Sequence, residues 1–267
     1  MAGLCISIMV KNDFMKIKIV KNRDYKELRK FYNAFTVSNK GDICIAVGGD
    51  GTFVRAAQEN TGPILPIRSE ERGSIGYYSD LNLKDIDFAI KNLKDGKFTV
   101  ENLENKMEII VDGKHYLAVN EALLHNMLEE VSFMIYEIKN GKREKIYPYV
   151  MSGDGILITS SIGSTAYNKS AGGPLLLVPN VMCLTFLNID GPYRNSIVVD
   201  SSKIIEIEVV KYNGMLRYDG IEIKRMRPGS SFRVRISHDE LKIIRFNNRR
   251  EGLSNKLDRI IRSRMSP

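Results

Sequence analysis

The run Ile43–Cys44–Ile45–Ala46–Val47–Gly48–Gly49–Asp50–Gly51–Thr52 constrains the fold more than any other stretch of the chain. Its apolar residues read as a buried strand that empties into Gly-Gly-Asp-Gly-Thr, and a helix pattern follows at once from Phe53 to about Gln58. A strand leading through glycines to a helix start is where α/β proteins hold phosphate, because bare backbone N–H groups and the positive helix end face the anion. Asp50 is the unusual member. A carboxylate repels phosphate unless it holds a divalent ion or takes a proton from the group being phosphorylated. The turn therefore points to phosphoryl transfer. Asp50 as a simple helix cap is the plainer alternative.

The chain is 267 residues long, enough for a full core and one or two domains. With 43% hydrophobic and 27% charged residues it reads as an ordinary soluble globular protein. Leu4–Val10 is too short to span a bilayer and is read as a buried first strand, not a signal peptide. Cys5, Cys44 and Cys183 lack pairing or metal-ligand spacing, which fits free thiols in a reducing compartment and a cytoplasmic address without membrane attachment. His115, His125 and His238 lack ligand or triad spacing and read as structural or exposed. The net charge of +8 implies anionic partners. Arg245, Arg249, Arg250, Lys256, Arg259, Arg262 and Arg264 read as a solvated face of a terminal helix. No RNA-binding aromatic signature accompanies them, which argues for nucleotides over nucleic acid.

The pattern changes midway. Up to residue 98 it alternates: a strand at Leu4–Val10, a helix at Asp24–Phe35, a strand at Ile43–Val47, a helix, a strand at Ile64–Ile67 and a helix at Asp85–Leu93. Such βα units imply a parallel sheet covered by helices. From 99 to 240, Asp112–Gly113, Asn140–Gly141, Asn213–Gly214 and Asp219–Gly220 give hairpin signals between alternating strands, predicting a mainly antiparallel β-domain. Leu241–Phe246 reads as one more strand and Ser254–Arg264 as a closing helix. The pattern leaves open whether this tail, 241–267, joins the first domain.

A second glycine- and hydroxyl-rich turn follows an apolar strand at Asp154–Gly155 and runs through Gly163–Ser164–Thr165–Ala166–Tyr167 to Ser170–Ala171–Gly172–Gly173–Pro174. Taken alone, such a turn is usually a loop. Together with Gly48–Thr52, Gly73–Ser74–Ile75–Gly76–Tyr77–Tyr78, Asn120–Glu121 and Asp219–Gly220, it resembles the NAD kinase family across nearly the whole chain. The resemblance implies an α/β N-terminal domain and a mainly antiparallel β-sandwich C-terminal domain that holds NAD, with the tail returning to the first.

It also implies ATP- or polyphosphate-dependent phosphorylation of the adenosine 2′-hydroxyl of NAD, with a divalent ion taken as Mg²⁺ whose ligands the sequence does not name. Asp50 would lie beside the 2′-hydroxyl. Gly48, Gly49, Gly51 and Thr52 would cradle phosphates. Asn120, Glu121, Asp154, Thr165, Ala166, Tyr167 and Ser170 would line the NAD site, with Asp219 near the nucleotides. Family members are usually dimers or tetramers. The chain departs from the family at Ser160–Ser161–Ile162 and at Arg68–Arg72. No Walker sequence and no G-x-G-x-x-G opening a βαβ unit is present, which argues against a P-loop enzyme or a dehydrogenase. A lipid kinase of the diacylglycerol or sphingoid type, and a non-catalytic NAD(P)-binding regulator, are the alternatives.

Overall fold

In the computed structural model, the described residues are 15–60, 62–69, 77–126, 128–179, 181–191, 194–252, 254–255 and 258. They fall into two compact units: one runs to Leu103 and includes the segment from Leu241, and the other is Glu104–Glu240. Among them no helix is long and apolar enough to cross a membrane.

The first unit is an α/β layer. Its elements are β1 (Lys16–Lys21), α1 (Arg29–Ala34), β2 (Thr36–Val37), β3 (Ile43–Gly48), α2 (Asp50–Glu59), β4 (Ile64–Arg68), β5 (Leu81–Asn82) and α3 (Ile86–Lys94). The strands pair in parallel in the order β2-β1-β3-β4. β3 is buried at every position, as a strand covered on both faces must be. Ile17, Phe31, Ile45, Val47, Leu65, Ile67, Ile86, Leu93 and Ile244 share one core. α3 contributes Ile86, Ala89 and Leu93, spaced along a single helix face.

The expected strand at Leu4–Val10 lies outside the described residues. β1, by contrast, was not legible. Lysines at 16, 18 and 21 interrupt its apolar run, although Ile17 and Val20 are buried in it. The chain winds outward from β1 to β2 and then jumps back across β1 to β3 and on to β4. This reversal matters, because ligands of open parallel sheets bind outside the carboxyl ends of the strands where the winding changes direction. Those ends are Lys21–Asn22 and Gly48–Asp50.

The second unit is a sandwich of antiparallel sheets. Its strands are β6 (Thr99–Val111, which begins in the first unit), β7 (Lys114–Ala118), β8 (Glu121–His125), β9 (Val131–Lys139), β10 (Lys142–Lys145), β11 (Met151–Gly153) and β12 (Gly155–Ser160). After the short α4 (Tyr167–Ser170) come β13 (Val181–Leu187), β14 (Ile197–Asp200), β15 (Ile205–Lys211), β16 (Gly214–Tyr218), β17 (Ile221–Met226) and β18 (Ser231–Arg245). One sheet carries β10-β9-β15-β18, and the other β14-β13-β12-β8-β16-β17. Phe133, Ile135, Ile207 and Phe232 from the first meet Leu124, Ile156, Ile158, Leu184 and Leu216 from the second in one core.

Three hairpin signals form hairpins. Asp112–Gly113, Asn140–Gly141 and Asp219–Gly220 all take positive φ at both residues. Asn213–Gly214 does not. β15 and β16 belong to different sheets, and Gly214 is glycine for packing, since a Cβ there would lie 2.6 Å from Leu124 Cδ1. Leu241–Phe246 is not a separate strand either: it continues β18, past the exposed residues His238–Glu240 that mask the continuity in sequence. Of the expected closing helix only Ser254, Asn255 and Asp258 are described, and they are helical.

Phe133 is fully buried between the sheets. Phe133→Ala should cost about 3–5 kcal/mol of stability. The check is the urea midpoint of the purified variant at unchanged m-value.

Candidate functional site

At the winding reversal of the first unit, Gly48 takes φ +155, where a Cβ would meet Thr52 Oγ1 at 2.3 Å and Asn22 Oδ1 at 3.0 Å. Only glycine lets the backbone turn there. Gly49 is the residue before α2, and its carbonyl accepts hydrogen bonds from the amides of Thr52 and Phe53 at 3.0 and 3.3 Å. Asp50 is thus the first helical residue, not the cap. A Cβ on Gly51 would meet nothing within 4 Å, so this side of the turn is open.

The half-buried Asp50 is steadied from outside its helix. The Tyr78 amide donates to Asp50 Oδ1 at 3.4 Å, and the Tyr78 ring stacks on Phe53 with centroids 4.4 Å apart. Arg245 Nη1 donates to the Tyr78 carbonyl at 2.8 Å and to Asp80 Oδ2 at 2.7 Å. Burial holds the Tyr77 hydroxyl above its ordinary range, with the Arg245 charge opposing the rise and the Asp50 charge adding to it. The solvated-face reading of the basic tail fails at Arg245, which is buried and holds fixed partners that sequence alone does not show. It holds at the exposed Arg249, over the Phe88 ring, and Arg250, paired with Glu101. Lys256, Arg259, Arg262 and Arg264 lie outside the described residues, as does Gly73–Gly76.

The second unit carries a cavity of about 1090 Å³, lined among others by Glu121, His125, Asn126, Asp154, Tyr167, Ser170, Asn188, Arg217 and Asp219. Asp219 organises one end. From the tight β16–β17 turn its carboxylate accepts the amides of Val119 (2.7 Å), Asn120 (2.7 Å) and Glu121 (3.1 Å). Three amides on one carboxylate fix the entry to β8. Glu121 is buried, its Oε2 has no hydrogen-bond partner, and its carboxyl is pushed up to about 8 by burial first and the Asp219 charge second. Asn120 Oδ1 is also buried without a partner. Such groups are normally satisfied, which leaves this strand end with acceptor capacity for a ligand's hydroxyl or amide donors.

The hydroxyl-rich turn packs on the same strand end. Thr159 Oγ1 donates to the Asn120 carbonyl at 2.8 Å, and a Cβ on Gly163 would lie 2.0 Å from that oxygen. Glu104 Oε2 accepts the Ile162 amide at 3.1 Å. Burial raises the Glu104 carboxyl, and its hydrogen bonds oppose the rise. Asn168, fully buried, donates to the Pro174 carbonyl at 2.8 Å and accepts from Thr185 Oγ1 at 2.6 Å, locking the segment through Gly173. Tyr167 is left 43% exposed, able to stack on a planar ring. At the other end Asn188 Nδ2 donates to Asp154 Oδ2 at 2.6 Å.

Glu121, Asp154, Tyr167, Ser170 and Asp219 thus line one cavity, with Asn120, Thr165 and Ala166 outside its lining. Sequence reasoning missed Asn22, Glu104, Asn126, Asn188 and Arg217, and it set His125 aside as structural or exposed. His125 lines the cavity, with Nε2 buried and unpartnered, and burial and Arg217 lower its pKa. Its signal was available: His125 follows Glu121 by four residues, on the same face of one strand.

Comparison with known proteins gives this geometry its context. Residues 8–98 match the ATP-NAD kinase N-terminal domain, and 119–246 match the ATP-NAD kinase C-terminal domain. The chain belongs to the NAD kinase family. It is 30% identical over 224 residues to an NAD kinase of Picrophilus torridus, covering 81% of this chain and 78% of that one. With an NAD kinase of Thermoplasma acidophilum it shares 30% over 250 residues, covering 88% and 86%. The NAD kinase fold is matched by an Archaeoglobus fulgidus NAD kinase solved in complex with ATP (TM-score 0.73, 19% identity, 92% of this chain and 99% of that one). A yeast NADH kinase complexed with NADH matches likewise (TM-score 0.79, 16% identity, 97% and 90%).

One consequence for this NAD kinase concerns pH. Glu121 holds its proton to about 8 when folded, against 4.5 for an ordinary glutamate, so the folded state binds more protons in that window. Stability contributed by this group is present below the lower value and lost as pH rises through the upper one. Glu121→Gln should flatten the fall in stability between those pH values, read by denaturant midpoints of the ligand-free protein.

Proposed function

We propose a division of roles for the NAD kinase reaction of this chain, transfer of the ATP γ-phosphoryl group to the adenosine ribose 2′-hydroxyl of NAD to give NADP. Asp50 orients that hydroxyl and takes up its proton as the new bond forms, while the amides around Gly48, Gly49, Gly51 and Thr52 hold phosphates. The observation that carries this is the placement of Asp50 at the first turn of α2, outside the carboxyl ends of β1 and β3, with the Tyr78 amide fixing one of its oxygens. Phosphoryl transfer demands positioning and charge neutralisation more than covalent participation, and a steadied carboxylate beside open amides supplies both. Asn120 and Glu121, held by Asp219, bind the adenosine half of NAD, and Asp154, Thr165, Ala166, Tyr167 and Ser170 hold the remainder.

Among the described residues no group of three or more His, Cys, Asp or Glu side chains is placed to hold a metal ion. The donor set at the turn is one carboxylate among amides, which fits an Mg²⁺ carried mainly by nucleotide phosphates. Bound there, the ion would neutralise charge on the transferring group. The buried, unpaired Cys44 and Cys183 support a reducing, cytoplasmic setting. The exposed apolar residues Leu175, Leu177 and Val178 support a homodimer or homotetramer.

Asp50→Asn should lower kcat on the order of a hundredfold or more while NAD binding survives. A coupled assay with ATP, Mg²⁺ and NAD, reading NADP with an NADP-specific dehydrogenase, measures it. Near-normal turnover by the variant would remove Asp50 from the mechanism. Tight NAD binding without turnover by the wild type would favour a regulator, and no binding a lipid kinase.

A further inference from the structure

The cavity of the sandwich unit has an order along its floor. Pleating places Glu121, Leu123 and His125 on one face of β8, and on β16 Arg217 stands opposite Leu123. Glu121 and His125, four residues apart, are separated by about 13 Å at the rise of a strand. One end holds Glu121 under Asp219, and the other holds His125 with the joined Asp154 and Asn188. Arg217 stands between them.

Among the described lining residues Arg217 is the only lysine or arginine. Its ion pair with Glu222 uses one terminal nitrogen, while its Nε is buried and makes no hydrogen bond. An unsatisfied cationic donor midway along a groove with polar groups at both ends matches the middle of a dinucleotide, where the charge lies. The acidic lining around it makes this the one stretch of floor where an anion is welcome, and a guanidinium is suited to phosphate oxygens. We propose that Arg217 recognises the diphosphate of the dinucleotide and so selects dinucleotides over simple nucleosides. The proposal rests on reading this cavity as the NAD site.

Calorimetric titration of the full chain with ADP-ribose and, separately, adenosine tests it. In Arg217→Met, ADP-ribose affinity should fall about ten- to hundredfold, the range for a charged hydrogen bond, with adenosine affinity within about twofold of wild type. Arg217→Lys should recover part of the loss through its charge, and KM for NAD should rise in parallel with the ADP-ribose Kd. Unchanged ADP-ribose binding in Arg217→Met overturns the proposal. An equal loss of both ligands overturns it too, by assigning Arg217 to the shape of the pocket. Wild type that binds neither ADP-ribose nor NAD removes the NAD reading of the cavity, and this proposal with it.

Discussion

Backbone amides that no sheet ladder can pair shape both candidate sites of this molecule. In the first unit they are the opening amides of α2, which face outward because a helix leaves its first N–H groups without internal partners. In the second they are the amides of Val119, Asn120 and Glu121, where the chain enters β8. The two solutions differ. The helix start is left open around Gly51, while the strand entry is closed by Asp219. An open set of amides is available to phosphate; a closed set becomes a rigid mount for the side chains that follow it.

Burial then sets the chemistry. The Asp219 carboxylate sits close enough to Glu121 to raise its pKa, yet it is itself satisfied by three amides. Glu121 is thereby a buried carboxyl that keeps its proton near neutrality and can donate a hydrogen bond, a different reagent from the exposed carboxylate its letter suggests. Asp50 is treated the other way. It is half-buried, accepts an amide, and lies at a helix N-terminus whose dipole favours negative charge. Two acidic residues of one family motif set thus sit in contrasting surroundings.

The packing behind each site is as specific as the site. Arg245 reaches the Tyr78 carbonyl across 167 positions of sequence, and the Tyr78 amide reaches Asp50. Asn168 ties the Pro174 carbonyl to Thr185 beneath the exposed Tyr167. These supports are buried polar groups with defined partners, and such groups are costly to misplace, which makes them rigid.

Local grammar was legible where one short segment carries its own physics. The apolar run into Gly48–Thr52, the paired turn residues at Asp112, Asn140 and Asp219, and the ordered motifs from Asn120 to Pro174 announced the fold class and, among the lining residues, Glu121, Asp154, Tyr167, Ser170 and Asp219. β1 was missed because lysines at 16, 18 and 21 hide a strand in which Ile17 and Val20 are buried, and Asn213–Gly214 misled because a glycine needed for packing looks like a glycine needed for a turn. Sequence alone thus determined the fold class, the family resemblance and the identity of the motif residues, since these depend on near neighbours along the chain. Only the tertiary structure decided that Asp219 grips the amides before β8, that Arg245 is buried, and that His125 and Arg217 share a cavity with Glu121. Those relations arise from strand register and burial, which join residues far apart in the chain, such as Asp219 with Asn120 and Arg245 with Tyr78, and leave no local mark.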